Sequence, residues 1–133
     1  METVAAAVND IWNHYASSLN AGDVDRWISL WTEDGVQMPP DSPPVIGKGQ
    51  IRTTMKGILD RFAFDIAVTP QEVGAAGDWA FSRGIFKATL TPRKGGKAIL
   101  VDGKYMTVLQ RQPDGSWRIH RDIFNSNTPP SDG

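Results

Sequence analysis

The hydrophobic spacing of this chain changes period once, after Phe62. Before that point apolar residues recur at steps of three and four; after it they alternate. Val4, Val8, Ile11, Trp12, Tyr15 and Leu19 predict an amphipathic helix over residues 3–20, stopped by Asn20-Ala21-Gly22 with Gly22 as a left-handed cap. Asp23 then caps a short second helix that carries Val24, Trp27, Ile28 and Trp31. Val36 to Met38 read as a short strand. The stretch "PPDSPPVIGKG" reads as a loop, because its four prolines forbid regular structure. A third helix presents Ile51, Met55, Ile58, Leu59 and Phe62 on one side. Residues 64–75, 79–91, 97–111 and 116–126 predict strands, with turn chemistry in "AGD", "PRKGG" and "QPDGS" between them.

Helices first and an antiparallel meander afterwards make an α+β fold, three helices against one sheet. A chain of 133 residues supports one domain with a real core and not two. We place that domain at residues 1–126 and a fraying tail at 127–133. Long strands in a strongly twisted sheet curl. Helices laid on the concave side then leave a cone with an internal pocket.

Composition narrows the function classes. Net charge is −1 with scattered basic residues, which gives no footprint for nucleic acid. No apolar run approaches the roughly 20 residues of a membrane span, and no leader segment is visible. The chain has no cysteine, which excludes thiol nucleophiles and disulfides and fits a cytoplasmic setting. With two histidines as the other strong metal ligands, neither a metal site nor a cofactor is expected. Phosphate-binding glycine loops and a Gly-x-Ser-x-Gly elbow are missing.

The stretch "WRIHRDIFNSN" carries the most chemistry. Strict alternation divides it into Trp117, Ile119, Arg121 and Ile123 on one side and Arg118, His120, Asp122 and Phe124 on the other. Same-face neighbours on a strand are roughly 6.5–7 Å apart, close enough for His120 and Asp122 to meet directly or through one water. On the preceding strands, alternation groups Trp79, Phe81, Arg83, Ile85 and Lys87, and separately Lys104, Met106 and Val108. A carboxylate in an apolar cone has a raised pKa unless a cation neutralises it. The competing reading is that Asp122 pairs with Arg83 or Arg118, or accepts backbone hydrogen bonds.

The segments "YASSLNAGDVDRWISLWTEDGV", "GKGQIR", "GDWAFSRG", "GKYMTVLQRQPDGSWRI" and "RDIFNSN" together resemble the nuclear-transport-factor-2-like superfamily, over about residues 3–126. That group includes ketosteroid isomerases, SnoaL-like polyketide cyclases and limonene epoxide hydrolases, and its scaffold hosts enzymes and non-enzymes alike. Against the isomerases, Tyr15 matches the oxyanion-hole tyrosine. Pro39 or its neighbour stands where their catalytic aspartate belongs, with Asp41 close but displaced in the proline loop. Lys104 stands at the position of their protonated aspartate, with Asp102 one inward step away. Against the epoxide hydrolases, Asp122 and Arg83 match, but Ile85 replaces a required aspartate. Against the cyclases, Asp122 resembles the general acid/base, with His120 on the same strand instead of a neighbouring one.

The resemblance implies that His120, Asp122 and Phe124 face the pocket. Asp122, His120 and Tyr15 are the expected catalytic residues. Arg83, Lys104, Met106, Phe124, Trp31 and Phe62 are the expected ligand contacts. The expected ligand is a small hydrophobic carbonyl compound. The expected partner is a second copy, paired through an outer sheet face that includes Phe86, Leu90 and Ile123. The alternatives are a binding module without turnover, an assembly module, and an epoxide-hydrolase-like enzyme with an incomplete triad.

Overall fold

The computed structural model describes residues 3–129; the end of the expected tail, from residue 130, lies outside the described residues. The element order is α1 (Val4–Asn20), α2 (Val24–Ile28), β1 (Trp31–Met38), β2 (Val45–Ile46), α3 (Lys48–Arg61), β3 (Phe62–Ala76), β4 (Trp79–Pro92), β5 (Ile99–Arg111) and β6 (Trp117–Ser126). The strands form one six-stranded sheet in the order β2-β1-β6-β5-β4-β3. Only β1 and β6 run parallel; the other neighbours are antiparallel. The helices pack on one face of this curved sheet, the α+β cone that the period change predicts. No described helix is long and apolar enough to cross a membrane.

Two expected helices run one element short. Trp31 and Phe62 do not continue α2 and α3; each opens the strand that follows. The proline-rich stretch also contains the two-residue strand Val45–Ile46, paired with Val36 and Gln37. Proline lacks a donor, so the ladder here stays that short. Asn127 is still tied down: its N–H donates to Asp102 O at 2.8 Å, and its Oδ1 accepts from Lys104 Nζ at 2.9 Å.

Local chemistry sets where α1 stops. Thr3 caps its start by accepting from Ala6 N–H at 3.1 Å. At its end Gly22 takes φ 69°; Gly22 N–H donates to Leu19 O at 3.0 Å and Asp23 N–H to Ser18 O at 2.8 Å. This is the paired Schellman closure that left-handed glycine permits. Asp23 then accepts from Arg26 N–H at 3.0 Å and starts α2. Asn20 fixes α1 to the sheet edge: its amide donates to Ile66 O at 3.1 Å and accepts from Ile66 N–H at 2.7 Å. An otherwise unpaired pair of edge-strand groups is thereby satisfied. The helix is held so that Tyr15, five residues earlier, lies over the sheet.

The core sits where α1, α2 and α3 meet the sheet. Trp27, Trp31, Leu19, Ile51, Leu109 and Ile119 are fully buried there. Side chains of this size each contribute about 1.5–3 kcal/mol by leaving water. Trp12, Tyr15, Trp27 and Trp31 follow one another edge to face or tilted, with centroids 5.4–5.7 Å apart. Past them the sheet curves away. Gly84 and Gly103 lie on its concave face, where a Cβ would stand 2.7 Å from the Tyr105 hydroxyl and 2.6 Å from the Phe86 ring respectively. Glycine is what lets the strands coil this tightly.

Candidate active site

One extra residue in β6 decides what faces the cone. Leu109 pairs with Ile119, but the next partners are Val108 and Arg121, which leaves His120 unpaired as a β-bulge. The bulge reverses the alternation. Trp117 and Ile119 point to the concave face before it, and Asp122 and Phe124 point to the same face after it. Without it the ladder would run on to pair Met106 with Asp122, and Arg83, the Cα partner of Met106, would join them. The observed row is instead Ser82, Thr107, Asp122 and Gln37 across β4, β5, β6 and β1. Their burial is nearly complete.

Asp122 and Gln37 of this row line a cavity of about 330 Å³. The walls are otherwise almost wholly apolar. Phe64, Ile66, Phe86, Val101 and Phe124 come from the sheet, Trp12, Tyr15 and Leu19 from α1, and Met55 and Ile58 from α3. Pro39, Ser42 and Val45 close one side, and the cavity reaches the surface at the exposed Ser42 and Thr54. Its size and composition, with a few convergent polar groups, are those of a small-molecule site.

Asp122 is the only carboxyl on the lining among the described residues. It is 3% exposed and accepts from Thr107 Oγ1 at 2.7 Å. Burial pushes its pKa up to about 6, and the Thr107 hydrogen bond opposes the rise by favouring the charged form. No cation contributes to that balance. Tyr15 is buried on the wall, and burial, aided by the Asp122 charge, holds its proton on well above the ordinary phenol range. Tyr105 is pushed up to about 12, chiefly by burial; its hydroxyl is 3.4 Å from Ser82 Oγ, which accepts from Trp12 Nε1 at 3.0 Å. The cavity therefore has one carboxyl poised to exchange a proton near neutrality and two phenols that remain donors.

The cavity brings together Tyr15, Asp122 and Phe124 from the sequence-based set. It does not bring in the others. His120, displaced by its own bulge, turns away from the cavity. Its Nδ1 lies 3.0 Å from Thr32 Oγ1 and 3.5 Å from Asp34 Oδ1, and its ring packs on Trp79 with centroids 5.3 Å apart. Burial and then the Arg121 charge lower its pKa, against Asp34. Arg83, Lys104 and Met106 lie on the outer face of the sheet, where a separate groove also takes in Ile85 and Ile123. Arg83 pairs with Glu72 at 2.9 Å, not with Asp122. Trp31 is a core residue against Trp27. Phe62 lies on the strand face of Phe64 and Ile66, but beyond the cavity and under the Arg61 guanidinium at 5.6 Å. Phe86 and Leu90, expected outside, line the cavity. Tyr105, Thr107 and Gln37 are the site residues that strict alternation misses.

Residues 12–121 match the model of the SnoaL-like domain, which is most of the chain. The chain belongs to the SnoaL-like family. This SnoaL-like domain superimposes on a ketosteroid isomerase-like protein from Erwinia carotovora atroseptica with a TM-score of 0.86, at 25% identity, covering 97% of this chain and 100% of that one. It also matches a nuclear transport factor 2-like superfamily protein from Salmonella enterica, with a TM-score of 0.79 at 19% identity and 98% coverage of both chains, a likeness of fold. A segment of 45 residues is 40% identical to the orange carotenoid-binding protein of Limnospira maxima; the match spans 34% of this chain and 14% of that protein's length. Pro39 also lines the cavity, and Asp122 is the single carboxyl there among the described residues.

Proposed function

We propose that this SnoaL-like domain binds a small, apolar, carbonyl-bearing compound and moves a proton on it without a cofactor. The observation that carries this reading is Asp122, a carboxyl with Thr107 as its hydrogen-bond partner and no ion-pair partner among the described residues, in an apolar cavity, with its pKa raised to about 6. A base of that strength works near neutral pH. Its carboxylate would take a proton from the carbon next to the carbonyl. The electron pair of that bond becomes a carbon–carbon double bond, and the carbonyl oxygen takes the charge. Tyr15 and Tyr105 would donate to that oxygen, favouring the charged intermediate over the ground state. Return of the proton at another carbon is an isomerisation; attack by the new carbon nucleophile on a second carbonyl is a cyclisation.

The test is exchange of the α-hydrogens of 2-tetralone in D2O, followed by proton NMR. The unmodified chain is expected to accelerate exchange at least a hundredfold over buffer, and Asp122→Asn to remove the acceleration. Binding of 2-tetralone without accelerated exchange would move the protein to the binding-module reading, which Pro39 in place of a second carboxyl favours. The epoxide-hydrolase-like reading has no such support, because Arg83 is paired with Glu72 on the other side of the sheet.

We propose also that two copies pair through the outer sheet face. Met106 and Ile123 are 46% and 48% exposed there, beside half-buried Ile85 and Val108. A sheet face this apolar favours cover by another surface. A cytoplasmic setting belongs to the same reading.

A further inference from the structure

Gln37 is the one member of the polar row with nothing to hold. Ser82 accepts from Trp12, and Thr107 donates to Asp122. Gln37 is 5% exposed and lines the cavity, yet no hydrogen bond among the described residues engages its amide. The amide opens onto the cavity with no protein partner, so its hydrogen-bonding groups are free for a bound ligand to engage. Its position is fixed by the backbone. Gln37 and Asp122 are Cα partners on the parallel strands β1 and β6. Neighbouring strands lie about 4.8 Å apart, and two oxygens on alternate carbons of a six-membered ring have a similar spacing. The carboxamide supplies two donors and an acceptor, whereas the rest of the lining besides Asp122 is apolar apart from the two phenols and the Ser42 and Thr54 hydroxyls at the exposed end.

We infer that Gln37 is a specificity-determining residue, which selects flat apolar ligands carrying two oxygen functions on alternate carbons. One oxygen meets Asp122 or a phenol, and the second meets the Gln37 amide. This rests on the proposed ligand cavity and deepens it. A ligand with a single oxygen leaves the amide unsatisfied in the complex, and the site discriminates against it for that reason.

Isothermal titration calorimetry with three naphthalene probes tests this. Naphthalene-1,3-diol has the required spacing, 2-naphthol lacks the second oxygen, and naphthalene-2,6-diol carries its second oxygen on the far ring. The unmodified chain is expected to bind the 1,3-diol about tenfold more tightly than either other probe, the factor of one buried hydrogen bond. Gln37→Met is expected to bring the 1,3-diol down to the level of 2-naphthol, with circular dichroism checking that the variant is folded. Equal affinities for all three on the unmodified chain would overturn the inference while leaving the cavity reading intact. So would a preference that survives Gln37→Met. Failure of every probe to bind would sink the cavity reading and this inference with it. The three-probe ranking on the unmodified chain decides the matter even if the variant does not fold.

Discussion

The Thr107 hydroxyl donates to Asp122 Oδ1 at 2.7 Å, directly across the β5–β6 ladder. That bond is the one compensation found for a carboxyl that burial has pushed from 3.8 to about 6. The cost appears in stability. The unfolded chain releases this proton near pH 3.8, while the folded chain keeps it until about 6. Stability therefore falls as pH rises through that window and stays lower above it. About two pH units correspond to about 3 kcal/mol. Asp122→Asn removes the ionisation and keeps the shape. Its urea midpoint is expected to exceed that of the unmodified chain at pH 7.5 and to match it at pH 4. A midpoint that is no higher at pH 7.5 would show that the carboxylate is well solvated.

Thr107→Val removes the hydrogen bond that favours the charged carboxyl. The Asp122 pKa then climbs further, by about one pH unit. In the 2-tetralone exchange assay the acidic limb of the pH profile is expected to move upward by that amount, with the plateau rate little changed. A profile that stays in place would mean that Asp122 is not the base.

His120 packs outside the cavity, against Thr32 and Trp79. His120→Gln keeps a polar group near Thr32 but removes the imidazole from beneath Trp79. Exchange activity and its pH profile are expected to persist, with stability lowered by about 1 kcal/mol for the weakened buried contacts. A variant that is folded yet inactive would return His120 to the chemistry.

The outer face carries the dimer prediction. Ile123→Glu places a charge in its apolar centre, on the side of β6 opposite Asp122 and Phe124. Light scattering at micromolar concentration is expected to give a dimer for the unmodified chain and a monomer for the variant. A monomer in both cases would remove the proposed interface.

The period change after Phe62 made the fold legible, because a helical stripe and a strand alternation bury different sets of residues. Tyr15 was legible for the same reason: its phase is fixed by Val8, Ile11, Trp12 and Leu19 on the same stripe. The facing of β4 and β5 was not. Strict alternation carries Arg83 and Met106 onto the face of Asp122, and one unpaired residue at His120 undoes this. Neither glycine nor proline marks the bulge in the sequence. A weaker signal was present. At the start of β4, Ala80, Ser82 and Gly84 form one face and Trp79, Phe81 and Arg83 the other. The concave face there, where Trp12 of α1 donates to Ser82, takes the small set, which would have turned Tyr105 and Thr107 inward with it.

Direct titration of the Asp122 side chain shows whether this carboxyl can serve as the base. Carbon-13 NMR of the chain labelled at the aspartate carboxyl carbons, with Asp122→Asn to assign the signal, follows that carboxyl from pH 3 to 9. An inflection near pH 6 is expected, as for a carboxyl buried in an apolar cavity with Thr107 as its hydrogen-bond partner. An inflection at or below pH 4 would mean that the carboxylate is solvated or ion-paired, and the proposed proton transfer would lose its base.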